Sequence, residues 1–173
     1  RPADTLETAV AWAESLRRRD GPSALALSRQ AVPVVAPKAG MAAAIARGGY
    51  VLADAPGARA VIIGTGTELH LALQAQAALA AEGLPVRVVS MPSTTVFDRQ
   101  DTAYVDAVLP PDLPAVAVEA AHPDFWRKYV GRRGAVVGIA SFGESAPAPA
   151  LYAHFGITAE HVTAAARALL APT

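Results

Sequence analysis

Apolar residues recur along this chain in two rhythms. Leu6, Ala9, Val10, Ala13 and Leu16 fall on one face of a structure turning every 3.6 residues, which predicts a helix over Asp4–Arg19. Asp4 stands at its N-cap with Glu7 three residues on, the spacing of a capping box. Arg17, Arg18 and Arg19 occupy the last turn, where positive charge suits the helix dipole, and Gly21-Pro22 ends it. Ser23–Ser28, with Ala-Leu-Ala-Leu at its centre, predicts a short buried strand. The opening unit is helix, turn, strand: half of a β-α-β unit. Residues 30–47 hold Pro33, Pro37 and Gly40 and predict an irregular connector, with a domain boundary at Arg47-Gly48-Gly49.

A regular alternation follows. Strands are predicted at Tyr50–Leu52, Ala60–Ile63, Val86–Ser90, Ala115–Glu119 and Ala135–Ile139, each a short and nearly continuous apolar run. Between them lie a helix from Thr65 or Thr67 to about Glu82, stopped by Gly83, a short helix at Gln100–Leu109, and one or two helical turns at Asp124–Val130. Helices at Pro149–His154 and Thr158–Leu170 close the chain, the second capped by Thr158. Apolar strands alternating with helices imply a three-layer α/β fold: a mostly parallel sheet with helices on both faces. The strand at Tyr50 follows too closely on its successor for a helical crossover and is expected as an antiparallel edge strand.

Composition narrows the function classes. With 173 residues the chain is long enough for one domain, or one domain and part of another. Its 15 basic and 15 acidic residues cancel, against a sequence-independent nucleic-acid binder. The absence of cysteine removes disulfides, thiolate zinc sites and cysteine nucleophiles. A hydrophobic fraction of 53% with 17% charged lies far from disordered sequences. Apolar runs stay well short of the roughly 18 residues a membrane span needs, so no membrane partner is expected and a cytoplasmic location is. Arg1-Pro2-Ala3-Asp4 shows neither an initiator Met nor a signal peptide, so a processed, trimmed or cut chain is expected.

Four places invite a chemical reading. Gly64-Thr65-Gly66-Thr67 lies between a strand and a helix, where phosphate loops sit. It lacks the third glycine of a dinucleotide fingerprint and the Lys of a P-loop, and Glu68 adds a negative charge, so a tight β-α turn is the stronger reading. The histidines, His70, His122, His154 and His161, show no metal-ligand spacing, and no metal is expected. Ser141-Phe142-Gly143-Glu144-Ser145 reverses the order of a nucleophile elbow, and Phe142 is expected to plug the core. Trp12, Trp126, Phe125 and Tyr129 are expected as packing residues, with Phe125 and Trp126 alternatively facing a partner domain. Arg29 directly follows the strand predicted at Ser23–Ser28. Ligands in open α/β sheets bind past strand carboxyl ends, and a guanidinium there suits a phosphate or carboxylate. A solvated loop arginine is the equal alternative.

Taken together, the motifs of the chain resemble the C-terminal portion of transketolase. They run in the family's order: Arg1-Pro-Ala-Asp4, Ala26-Leu-Ser-Arg-Gln30, Gly48-Gly-Tyr-Val-Leu52, Gly64-Thr-Gly-Thr-Glu68 and Arg87-Val-Val-Ser-Met-Pro-Ser93, then Phe97-Asp98, Val118-Glu119, Ser141-Phe-Gly-Glu-Ser-Ala-Pro-Ala-Pro149 and His154-Phe-Gly-Ile-Thr158. The resemblance implies that residues 1–30 are the tail end of a pyrimidine-binding domain, 31–47 a linker, and 48–173 the C-terminal domain. It implies a parent enzyme, a homodimer, that moves a two-carbon ketol unit between sugar phosphates with thiamine diphosphate and a divalent cation, Mg or Ca. The implied partners are sugar phosphates, the rest of the subunit and its homodimer mate.

Residue by residue, only Arg29 carries over, as the Ser-Arg-Gln arginine that binds the substrate phosphate. Ala31 stands where the family commonly has Asn, and Ala140 where it commonly has Asp. The family's metal motif, activating glutamate and catalytic histidines match nothing in this chain. The isolated chain is therefore expected to hold no cofactor and to be inactive, with apolar surface or disorder near residues 1–47. The alternatives are another thiamine-dependent enzyme, such as dihydroxyacetone synthase, and a stand-alone interaction or small-anion-binding module.

Overall fold

A computed structural model describes residues 1–171. Helix α1 (Thr5–Arg17) and the short α2 (Met41–Ile45) precede the sheet. The alternation then runs β1 (Tyr50–Ala53), β2 (Val61–Gly64), α3 (Leu69–Ala81), β3 (Arg87–Ser90), α4 (Thr94–Phe97), α5 (Thr102–Val108), β4 (Ala115–Val118), α6 (Arg127–Val130) and β5 (Ala135–Val137). Helices α7 (Ala148–Phe155) and α8 (Ala159–Leu170) complete it. The strand order is β1-β3-β2-β4-β5. Strands β2 to β5 are parallel, and β1 pairs antiparallel with β3 at one edge, Tyr50 opposite Ser90.

The strands bury both faces, and their two-residue period sorts the core into two layers. Ile62, Val88, Val116 and Val118 face one way, against Leu69, Ala72 and Leu79 of α3 and Val162 and Ala166 of α8. Val61, Ile63, Val89 and Ala117 face the other way, against Phe97, Val108, Trp126 and Val130. This is the three-layer α/β architecture, antiparallel edge strand included.

The region before Gly48 departs from expectation. Ser23–Ser28 forms no strand and is largely exposed. A strand exists by pairing with a neighbour, and no edge of this sheet reaches that segment. The expected irregular connector contains α2, whose Met41 and Ile45 are buried in the core with Ala3. Helix α1 also packs inward, through Leu6 and Val10, while Trp12 and Leu16 on its other side are 52% and 71% exposed. Phe142 does not plug the core: it is 97% exposed on the irregular segment before α7. Of the aromatic group, Trp126 is buried and Phe125 is 52% exposed, although the two rings meet edge to face.

Candidate functional site

In an open α/β sheet the ligand crevice forms where neighbouring strands send their connections in opposite directions. Here that place is the carboxyl end of β2 beside β4, because β2 connects toward β3 on one side and β4 toward β5 on the other. The chain fills this crevice with its own residues 1–7. The Gly66 amide, from the glycine turn after β2, donates to the Arg1 carbonyl oxygen over 3.1 Å, and Thr65 Oγ1 donates to the same oxygen over 3.3 Å. The Arg1 backbone nitrogen donates to the Pro92 carbonyl over 2.8 Å, past the end of β3.

The Arg1 side chain continues the plug. Its guanidinium lies between two carboxylates, Glu68 at 3.1 Å and Glu119 on its other side. Glu68 is fully buried; Glu119, the residue directly after β4, also accepts the Trp126 indole N–H over 2.6 Å. Burial opposes the charge on Arg1, and its bond to Glu119 with the two nearby carboxylates outweighs that, raising the guanidinium pKa. Tyr152 of α7 donates its hydroxyl to Glu68, and burial followed by this bond pushes its pKa up to about 12. Thr65 stands at the N-cap of the 3-10 turn Gly66–Glu68 that leads into α3, as expected of one of the two threonines, but its side chain makes no capping bond, and Thr67 caps nothing. Thr65 serves the Arg1 carbonyl, and Thr67 binds Glu68 and the Tyr152 hydroxyl.

Two further buried carboxylates, Asp4 and Glu7, fix the next turn. Asp4 caps α1, accepting from the Glu7 amide over 2.9 Å. The return half of a capping box is missing, because Glu7 turns toward the sheet. It accepts from the Ala3 amide over 2.6 Å, from the Tyr50 hydroxyl over 2.9 Å and from Ser90 Oγ. Burial pushes the Glu7 carboxyl above the usual carboxylate range, against three hydrogen bonds that favour its charged form.

Arg29 lies apart from this cluster, on an exposed bend. It follows no strand, so the carboxyl-end argument for it fails within this chain. The histidines are scattered. His122 caps the turn before α6, His161 bonds Thr158 over 3.1 Å, and His154 meets Phe155 edge to face. His70, on α3, keeps a buried Nε2 without a hydrogen-bond partner, and burial lowers its pKa. Among the described residues no three His, Asp or Glu side chains are grouped to hold a metal, and no helix is long and apolar enough to cross a membrane. A cleft of about 530 Å³ opens beside Arg1, lined among others by Glu14, Arg18, Ser93 and Trp126. Its two outer arginines are already paired, Arg18 with Asp20 at 3.1 Å and Arg99 with Asp20 at 3.6 Å.

The Arg1–Glu68–Glu119 cluster does not emerge from sequence reasoning. Its signal in the sequence is a carboxylate at or shortly after the end of each of two apolar runs, Glu68 and Glu119, with an arginine to match them.

The fold and its self-filled crevice define a class, an α/β domain with a mostly parallel five-stranded sheet whose crevice is taken by its own chain. The family described as "Transketolase-like TK C-terminal domain" matches residues 48–158. The chain is 56% identical over 170 residues to the chromosomal transketolase of Cupriavidus necator, covering 98% of this chain and 25% of that protein. Among solved structures it resembles a transketolase from Leishmania mexicana, with a TM-score of 0.89 and 44% identity over 98% of this chain and 24% of that one. It also resembles a Pichia stipitis transketolase solved as a complex with sedoheptulose 7-phosphate, with a TM-score of 0.89 and 33% identity, over 98% of this chain and 25% of that one. The chain belongs to the transketolase family, and it corresponds to the C-terminal portion of those enzymes. It spans about a quarter of the length of the relatives it matches.

The residues present do not fit the diphosphate of thiamine diphosphate. At the glycine turn after β2 the Gly66 amide is turned onto the Arg1 carbonyl, and the buried Glu68 carboxylate pairs with the Arg1 guanidinium.

Proposed function

We propose that this chain acts as part of a transketolase that transfers a two-carbon ketol unit from a ketose phosphate to an aldose phosphate. The whole enzyme uses thiamine diphosphate and a divalent cation, Mg or Ca, and works as a cytoplasmic homodimer. Residues 1–30 complete its pyrimidine-binding domain, 31–47 are the linker, and 48–173 form the C-terminal domain. The observation that carries this reading is the 56% identity to a transketolase across nearly the whole chain. The sedoheptulose 7-phosphate held by the Pichia stipitis enzyme supports the substrate class.

Within that enzyme Arg29 binds the substrate phosphate. Its exposure on a Ser-Arg-Gln bend supports this, since a fixed planar cation left open to solvent suits a bidentate anion contact. The remaining chain is scaffold: it contributes neither the cofactor seat nor the groups that move protons, and alone it is inactive.

The test is steady-state kinetics of the full-length enzyme. Arg29→Ala is expected to raise KM for xylulose 5-phosphate at least about tenfold, the worth of one charge-assisted contact, with kcat changed far less. An unchanged KM would remove Arg29 from the substrate site. Turnover of xylulose 5-phosphate and ribose 5-phosphate by the 173-residue chain alone would overturn the scaffold reading.

A further inference from the structure

The amino ends of β2 and β4 border a cleft of about 490 Å³, within the size range of small-molecule sites. Val61 and Ala115, the first residues of the two strands, lie in its lining. Each strand is four residues long. The cleft therefore stands roughly 10 Å along the sheet from Gly66 and Glu119, where Arg1 is seated.

One wall is the connection from α5 to β4. Pro110, Pro111 and Pro114 carry no amide hydrogen. Leu109 spends its amide on the Val105 carbonyl over 2.7 Å, and Leu113 spends its own on the Pro110 carbonyl over 3.1 Å. This wall offers apolar surface and no free backbone donor.

Another wall is the turn 131–134 after α6, which brings Arg132 and Arg133 to the cleft. The turn is seated tightly: a Cβ at Gly134 would lie 2.4 Å from the Val130 carbonyl oxygen and 2.5 Å from that of Ala115. Among the described residues no carboxylate lines the cleft. Its third cation, Lys128, is paired with Asp98 at 2.5 Å, and the Tyr129 hydroxyl donates to the same carboxylate over 2.9 Å. Arg133 donates to the Asp112 carbonyl over 3.4 Å, a neutral partner. Two adjacent guanidinium groups thus stand beside a donorless apolar wall with their charge unmatched.

We propose that this cleft binds a small organic anion with an aromatic body, of the aryl phosphate or aryl carboxylate class. The planar forks of Arg132 and Arg133 take the anionic group. The prolines, the leucines and the Tyr129 ring take the aromatic body. A sugar phosphate is a poor match, because its hydroxyls would lose water against a wall of proline and leucine.

The test is calorimetric titration of the full-length enzyme with 1-naphthyl phosphate, in the presence of saturating ribose 5-phosphate. Saturable binding is expected. The double variant Arg132→Ala, Arg133→Ala should weaken it at least about tenfold, the worth of one charge-assisted contact. Pro111→Glu, at an exposed position of the wall, should also weaken it, by placing a like charge beside the anion. Arg29→Ala should leave it within about twofold, and so should Arg167→Ala, which removes an exposed arginine paired with Glu82. Absence of saturable binding would overturn the proposal. Binding that survives both cleft variants, or that is lost with Arg29→Ala, would overturn it too, by placing the ligand elsewhere.

Discussion

Arg1 and Glu68 meet at 3.1 Å at the carboxyl end of the central strand, with Glu68 fully buried and the arginine side chain 33% exposed. The contact lies where an α/β domain of this kind would receive a ligand. The arginine neutralises one of two carboxylates that would otherwise be stranded in the protein interior, and its backbone occupies the glycine turn. A single residue thus converts a binding crevice into an internal joint.

Removing that residue should be costly. Arg1→Ala leaves Glu68 and Glu119 without their cation, and breaking a buried pair from one side costs about 3–5 kcal/mol. The partial exposure of Arg1 lowers the expected loss to about 2–3 kcal/mol. Urea denaturation of the full-length protein, followed by a probe in this domain, measures it. A loss below about 0.5 kcal/mol would mean that solvent replaces the guanidinium without penalty.

Glu7 is a buried acid with its oxygens aimed at three donors. Glu7→Ala should cost about 2–4 kcal/mol through unpaired partners and a cavity. Glu7→Gln keeps the volume and should stay within about 1 kcal/mol at neutral pH, since Tyr50 and Ser90 hydroxyls can turn to accept. The sign of the pH dependence follows from the upward shift. The folded state holds this proton more tightly than the unfolded one, so wild type gains on Glu7→Gln as pH falls through the folded pKa toward the ordinary 4.5. Denaturation curves of the two proteins across that range would show the difference changing in this direction.

Tyr152 titrates late, at about 12 against an ordinary 10.0. Its hydrogen bond to Glu68 should contribute about 1 kcal/mol relative to Tyr152→Phe. That contribution is fully present below pH 10 and declines as pH rises from 10 to 12, where the unfolded chain ionises and the folded one does not. A gap between the two proteins that stays constant over this interval would show that the hydroxyl is not held.

Two glycines separate strain from crowding. Gly48 has φ +86°, and a Cβ there would lie 2.4 Å from the Ser93 carbonyl oxygen. Gly57 has φ +69° with nothing within 4 Å. Gly57→Ala should cost about 1 kcal/mol, the left-handed penalty alone. Gly48→Ala adds a backbone clash and should cost about 3 kcal/mol or more. Equal losses in thermal or urea unfolding would show that the Gly48 turn opens to admit a methyl group.

The sheet domain was legible because its signals are local. Val61–Gly64 and Ala115–Val118 are apolar runs of strand length, and Thr158 caps α8 as its position suggests. The short separation of Tyr50 from the next strand was enough to mark an antiparallel edge. Helix α2 was hidden, because Met41–Ile45 is too short to show a period and lies among prolines and glycines. Phe142 misled: its hydrophobicity argued for burial, but it is 97% exposed and residues 140–147 around it are exposed as well. Ser23–Ser28 misled in the same way, since Ala-Leu-Ala-Leu has strand character but finds no pairing edge.

The sequence alone determined the family, the α/β class and the order of elements, because motifs, periodicity and turn residues are written within a few positions of one another. The tertiary structure decided what fills the ligand crevice. Arg1, Glu68 and Glu119 are separated by 67 and then 51 positions, and Glu7 reaches Ser90 across 83. Contacts of that range leave no local pattern. They exist because parallel strands bring the ends of distant segments to one edge of a sheet, where buried carboxylates take the nearest donors to avoid standing unpaired.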